Sequence, residues 1–169
     1  MLRKEVKEFN EIFDLFNKNN AILTAGGKEF NSMTVSWGQI GVLWNKNIAT
    51  VYVRPQRYTY EFIEKYDEFT LSFMPLELKE KIRVFGTKSG KDVDKFKESG
   101  LTPIYDVDFQ VTYVKEAKYV LKLKKLYVSE IKEEGFVDKD LLKNYPTKDF
   151  HYVYIGEIKQ FLVVEEEND

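Results

Sequence analysis

Apolar residues recur in two rhythms along this chain. Val6, Phe9, Ile12, Phe13 and Phe16 fall three and four positions apart, the spacing of one helix face. They predict an amphipathic helix over residues 5–18, ended by Asn19 and Asn20. The period then shortens. "AILTA" reads as a strand, Gly26-Gly27 as a turn and residues 29–37 as a second strand. Residues 38–43 continue extended, "WNKN" turns, and "IATVYV" forms a further strand. Pro55 stops that strand, because proline has no N–H to give to a ladder. Helical spacing returns at Phe62, Ile63 and Tyr66 for a short helix, "FTLSF" is again a strand, and residues 76–84 are another short helix. "GTKSGKDVDKFKESG" reads as a loop opening into one more helix. Long strands are expected around 118–131 and 151–164, separated by a linker with Pro146, and the acidic tail 165–169 is expected to be frayed and solvated.

Several antiparallel strands with short helices between them, and no regular strand–helix alternation, predict a single β-rich α+β barrel domain over residues 1–169. The composition agrees and narrows the chemistry. Hydrophobic residues make up 43%, as a globular core needs, and aromatics 15%, which favours sheet, flat ligands or both. No cysteine is present, so disulfides, thiol catalysis and thiolate metal sites are excluded. A single histidine leaves zinc hydrolysis without a ligand set, so no metal is expected. The net charge of −2 lacks the basic surplus of a nucleic-acid binder. The N-terminal segment is charged every few positions, unlike a signal peptide, and no apolar run approaches the ~18 residues of a membrane span. A soluble, cytoplasmic protein is therefore expected.

The sequence lacks the G-x-S-x-G elbow of a serine hydrolase. "GTKSGK" approaches a phosphate-binding P-loop, but its glycines stand one residue too close and Asp92 occupies the place of the metal-binding hydroxyl. What remains is residues 31–59, where polar residues on extended segments run into Arg54, Arg57, Tyr58 and Thr59. Arg57 precedes an expected helix N-terminus, where a guanidinium, a threonine hydroxyl and unpaired N–H groups suit an anion. The competing reading pairs Arg57 with Glu61 on the helix surface. Taken alone, Asn31, Thr34 and Ser36 read first as the wet face of a strand, Ser89 and Asp92 as a helix cap, and His151 as a packed or half-exposed residue of an aromatic strand.

"N-x-M-T-x-S-W-G" followed by "V-R-P-x-R-Y-T" resembles the flavin reductase-like family with its FMN-binding split-barrel fold. The likeness continues through "FTLSF", "GTKSGKDVDKF", "GLTPIY", "KLYVSEI" and "YPTKDFHYVYIGEI", from about Asn31 to Phe161. It implies an antiparallel Greek-key split barrel that pairs as a homodimer. It lays the isoalloxazine ring of FMN against Asn31, Met33, Thr34 and Ser36, with Trp37 as a wall. Arg54, Arg57, Tyr58 and Thr59 would hold the phosphate end, with Ser89 and Lys95 as neighbours. His151, five residues before Gly156, matches the "G-D-H, four residues, Gly" signature, in which the histidine lies beside flavin and nicotinamide; Phe150 replaces the acid, and Asp149 stands one place earlier. The implied activity passes electrons from NADH or NADPH through FMN to free flavin, oxygen, iron or a protein, with His151 as the catalytic residue. An electron carrier with no nicotinamide site would share the same pocket. A pyridoxal-phosphate oxidase relative is disfavoured by the "MTxSWG" strand and the His-x4-Gly ending.

Overall fold

The structure, a computed structural model, describes residues 10–18 and 21–163. The first turn of the helix expected from residue 5, its Asn19-Asn20 stop and the acidic tail lie outside the described residues. The helix itself appears as α1 (Asn10–Asn17), with Phe16 seated edge-on against Phe73 at 5.3 Å.

Alternation of side chains builds the sheet. Strands β1 (Ala21–Gly26) and β2 (Phe30–Val35) form one hairpin, and β3 (Gly38–Leu43) and β4 (Lys46–Val53) another. The second hairpin turns at Trp44 and Asn45, both with positive φ (53° and 57°), the paired left-handed geometry that matches strand twist. Helix α2 (Tyr58–Lys65) leads to β5 (Glu68–Phe73), and a 3-10 turn at Leu76–Leu78 runs into α3 (Lys79–Thr87). Helix α4 (Lys95–Ser99) is capped by Asp94, whose carboxylate accepts from the Lys97 N–H, and not by the Ser89–Asp92 arrangement anticipated from sequence. A short hairpin of β6 (Pro103–Asp106) and β7 (Val111–Val114), not foreseen in the hydrophobic pattern, precedes the long strands β8 (Tyr119–Glu130) and β9 (Tyr152–Val163). Two more 3-10 turns, Glu133–Gly135 and Lys139–Asn144, occupy the expected linker.

The seven larger strands make one antiparallel sheet in the order β2-β1-β5-β8-β9-β4-β3. It curls until β2 and β4 meet, giving the predicted split barrel. Strand β1, next to the terminal strand, is buried on both faces: Leu23 joins Val51, Phe69, Leu71, Leu123 and Tyr154 inside the barrel, while Ile22 joins Ile82, Phe85 and Phe96 beneath α3 and α4. Each such side chain contributes ~1.5–3 kcal/mol by leaving water. Gly156 serves this packing, because a Cβ there would stand 2.8 Å from the Phe69 ring and 3.1 Å from Leu123. No helix among the described residues is long and apolar enough to cross a membrane.

Candidate functional site

Two cavities lie along β2, the terminal strand of the sheet. The first, about 450 Å³, is lined by Phe30, Asn31 and Ser32 of β2, by Phe85 of α3 and by residues 90–96. The second, about 350 Å³, is lined by residues 33–37, Tyr52, Arg54, Arg57 and His151. Both fall in the size range of small-molecule sites. Asn31, Met33, Thr34, Ser36 and Trp37 are thus brought to cavity walls. The wet-face alternative fails for Asn31, which is buried and donates from Nδ2 to Thr59 Oγ1 at 2.7 Å. Trp37 remains 49% exposed, with its ring 5.2 Å from that of His151.

Arg57 sits at the N-cap of α2, which has no side-chain cap. Its guanidinium donates to the carbonyls of Phe85 (2.8 Å) and Gly86 (3.4 Å). It does not take Glu61, whose carboxylate is held by Lys91 at 2.6 Å. Lys95, only 6% exposed, donates to the Ser32 carbonyl at 2.9 Å. Burial lowers both cations from their ordinary pKa values. Lys95 reaches about 8, by burial first and then by repulsion from Arg57. Neither has a carboxylate partner among the described residues. Thr59 is buried beside them; accepting from Asn31 leaves its hydroxyl hydrogen to be donated. Tyr58 packs edge-on against Phe62 and under the ammonium of Lys91. Ser89 accepts from the Lys91 N–H and lines neither cavity.

Arg54 lines the second cavity with a different set of partners. Its guanidinium donates to Asp149 and to the Asn144 carbonyl (2.8 Å), which binds the loop before β9 to the end of β4. Gln56 and Thr147 also donate to Asp149, and these bonds, Arg54 foremost, hold its carboxyl well below the usual carboxylate range. Arg54 and Arg57, three residues apart, therefore serve different partners. Two aromatic residues were missed from sequence. Tyr52 was legible in principle, since Val51 and Val53 enter the core and alternation turns Tyr52 and Arg54 the other way. Tyr145 hydrogen-bonds His151 from within the linker, and no local pattern marks it. Burial, reinforced by the charge of Arg54 and only partly offset by Asp149, lowers His151 to about 4, so its imidazole is neutral near pH 7. No group of metal-ligating residues is found among the described residues.

A similar fold occurs in solved structures. The chain is similar to flavoredoxin from Methanosarcina acetivorans, at 22% identity and a TM-score of 0.66, over 88% of this chain and 69% of that one. It is also similar to the FMN-binding protein from Thermus thermophilus solved with bound p-hydroxybenzaldehyde, at 20% identity and a TM-score of 0.65, over 85% and 70%. An uncharacterized protein of Pyrococcus abyssi is 26% identical over 147 residues, 86% of this chain and 73% of the relative. At these identities the solved structures speak for the fold. Descent is carried by the model of the flavin reductase-like domain, which matches residues 13–169 and so takes in every strand and both cavities. The protein belongs to the flavin reductase-like domain family.

Proposed function

We propose that the protein binds FMN along β2, phosphate toward Arg57 and Lys95 and ring toward Trp37 and His151. It would act as an oxidoreductase between NADH or NADPH and an acceptor such as free flavin, oxygen, iron or a protein. One observation carries the reading: the Lys95 ammonium is buried and the neighbouring Arg57 guanidinium half-buried, and neither forms an ion pair among the described residues, although Asp92 and Asp94 line the same cavity as Lys95. Burying unpaired charge is costly, and a bound phosphate monoester would offset that cost by accepting from both. The uncapped start of α2 adds N–H groups of the same polarity.

The surrounding residues fit the rest of such a ligand. At Gly90 a Cβ would stand 2.0 Å from Asn31 Oδ1, so only glycine lets this loop close on the cavity. Asn31 and Thr59 are locked to one another and present a carbonyl oxygen and a hydroxyl beside the cations. Met33, Thr34 and Val35 continue the wall to Trp37, whose exposed face offers a flat apolar surface. FMN, when bound, supplies the redox chemistry, and the protein contributes position and charge. His151, neutral at pH 7, would align a ligand in the second cavity by hydrogen bonding.

An FMN-binding electron carrier with no nicotinamide site of its own is the second reading, favoured by the likeness to flavoredoxin. An anaerobic spectrum separates the two. Addition of NADH or NADPH to the FMN-loaded protein should bleach the flavin band, and His151→Ala should slow the bleaching while retaining FMN. No bleaching with either nucleotide would establish the carrier instead.

A further inference from the structure

The second cavity holds a histidine whose two ring nitrogens have different fates. Nδ1 lies 2.9 Å from the hydroxyl of Tyr145. Nε2 has no hydrogen-bond partner among the described residues, yet no fully buried side-chain nitrogen or oxygen among them lacks a partner. Nε2 therefore keeps contact with solvent, and the cavity that His151 lines is where it can do so. We propose that Tyr145 is a positioning residue: its O–H donates to Nδ1 and fixes His151 in the tautomer protonated on Nε2, so that the histidine presents an N–H donor to the cavity.

The choice of tautomer follows from donor accounting. The Tyr145 hydroxyl has one hydrogen to give, in a side chain that is itself buried. If Nδ1 carried the proton, the phenolic oxygen would be the acceptor. Its own hydrogen would then need another acceptor, and His151 is the one hydrogen-bond partner of that hydroxyl among the described residues. With Nδ1 as acceptor, both groups are satisfied. The phenol keeps its proton, because burial raises Tyr145 above its ordinary value. The charged groups facing the pair are Arg54 and Asp149, which form an ion pair with one another.

Tyr145 is held firmly enough for this task. The Arg54 guanidinium lies 5.2 Å from the centre of one ring face, and the Phe150 and Phe136 rings lie at 4.8 and 5.9 Å. Its N–H donates to Leu142 at 2.9 Å, and the His151 carbonyl accepts from the Ile131 N–H at 2.9 Å. Arg54, which lines the cavity itself, thus also steadies the Tyr145 ring. The matching group on a ligand is an acceptor, a carbonyl oxygen or an unprotonated ring nitrogen. Only this last step rests on the flavin reading.

The chain contains a single histidine, so its imidazole nitrogens can be assigned without ambiguity in a long-range proton–nitrogen-15 correlation spectrum of the full-length protein. At pH 7 without FMN, the expected pattern is a protonated Nε2 and an unprotonated Nδ1 displaced by accepting a hydrogen bond. Tyr145→Phe removes only the hydroxyl and should shift the tautomer ratio several-fold toward a mixture. A wild-type spectrum with the proton on Nδ1, or an unchanged ratio in Tyr145→Phe, overturns the proposal. The wild-type spectrum decides the tautomer even where the variant does not fold. Added FMN should then move the Nε2 resonance and leave Nδ1 in place. Quenched flavin fluorescence with an unmoved Nε2 overturns the donor role. Failure of FMN to bind overturns the flavin reading, while the unliganded spectrum still decides the tautomer.

Discussion

Lys95 carries the most informative charge in the molecule. Its ammonium is buried against a carbonyl and beside another cation, which lowers its pKa from the ordinary 10.5 to about 8. An anion favours the protonated form, so bound FMN phosphate should raise that pKa again. The sign follows by linkage. FMN affinity is fully present below pH 8 and declines as pH rises through 8, by up to about tenfold per pH unit, until the pKa of the complex is reached. In Lys95→Gln the same titration from pH 7 to 10 should be weaker throughout and flat. A slope that survives in the variant would assign the proton elsewhere. In the unliganded protein the folded pKa lies below the unfolded one, so burial of Lys95 destabilises the fold at neutral pH. That penalty fades as pH rises from about 8 toward 10.5.

At the scale of elements, the segment 131–150 is attached to the barrel through few points, and Asp149 gathers two of them, from Arg54 and Gln56, while Thr147 braces its carboxylate from within the segment. The carboxyl is depressed in the fold, so its contribution is present above the ordinary carboxylate pKa and lost as pH falls below it. Asp149→Asn should accelerate amide exchange across the 3-10 turn Lys139–Asn144 and Tyr145 while leaving β1 and β5 protected. Equal acceleration throughout would mean that the loop is not an independent unit. Much of this layer was legible in sequence, because strands with one face in the core alternate, and helices with one buried stripe repeat every three or four residues. The β6–β7 hairpin was not, since its strands are four residues long and its turn ends at Gln110 with φ 55°, a conformation more often announced by glycine or asparagine. Arg54 and Arg57 line one cavity together, but the ion-pair partner of Arg54 lies 95 residues along the chain, where no local pattern announces it. Tyr145 escaped for the same reason: its role exists only once the linker folds back onto β4.

At the scale of the whole molecule, an apolar surface is left outward on β3 and its surroundings. Val42 is 72% exposed, and Ile40, Leu43, Trp44, Tyr127 and Val128 are exposed with it. Strand β3 also ends the sheet opposite β2, so one edge of its backbone has no strand neighbour among the described residues. We propose that a second copy covers this face, the homodimer that the family resemblance implies. Light scattering at micromolar concentration should give twice the 20.0 kDa chain mass, and Ile40→Lys with Val42→Lys should reduce it to the monomer without loss of the far-ultraviolet signal. A wild-type monomer would contradict the pairing.

The central claim is that Arg57 and Lys95 form an anion site for FMN, and fluorescence titration of FMN with the purified wild-type protein tests it most directly. The account predicts saturable quenching at micromolar FMN or below, one flavin per chain. It also predicts a loss of about 1.5–3 kcal/mol, roughly 10- to 150-fold, on replacing either cation by alanine. Wild-type protein that leaves FMN fluorescence unchanged at micromolar concentrations, or variants that bind as tightly as the wild type, would contradict it.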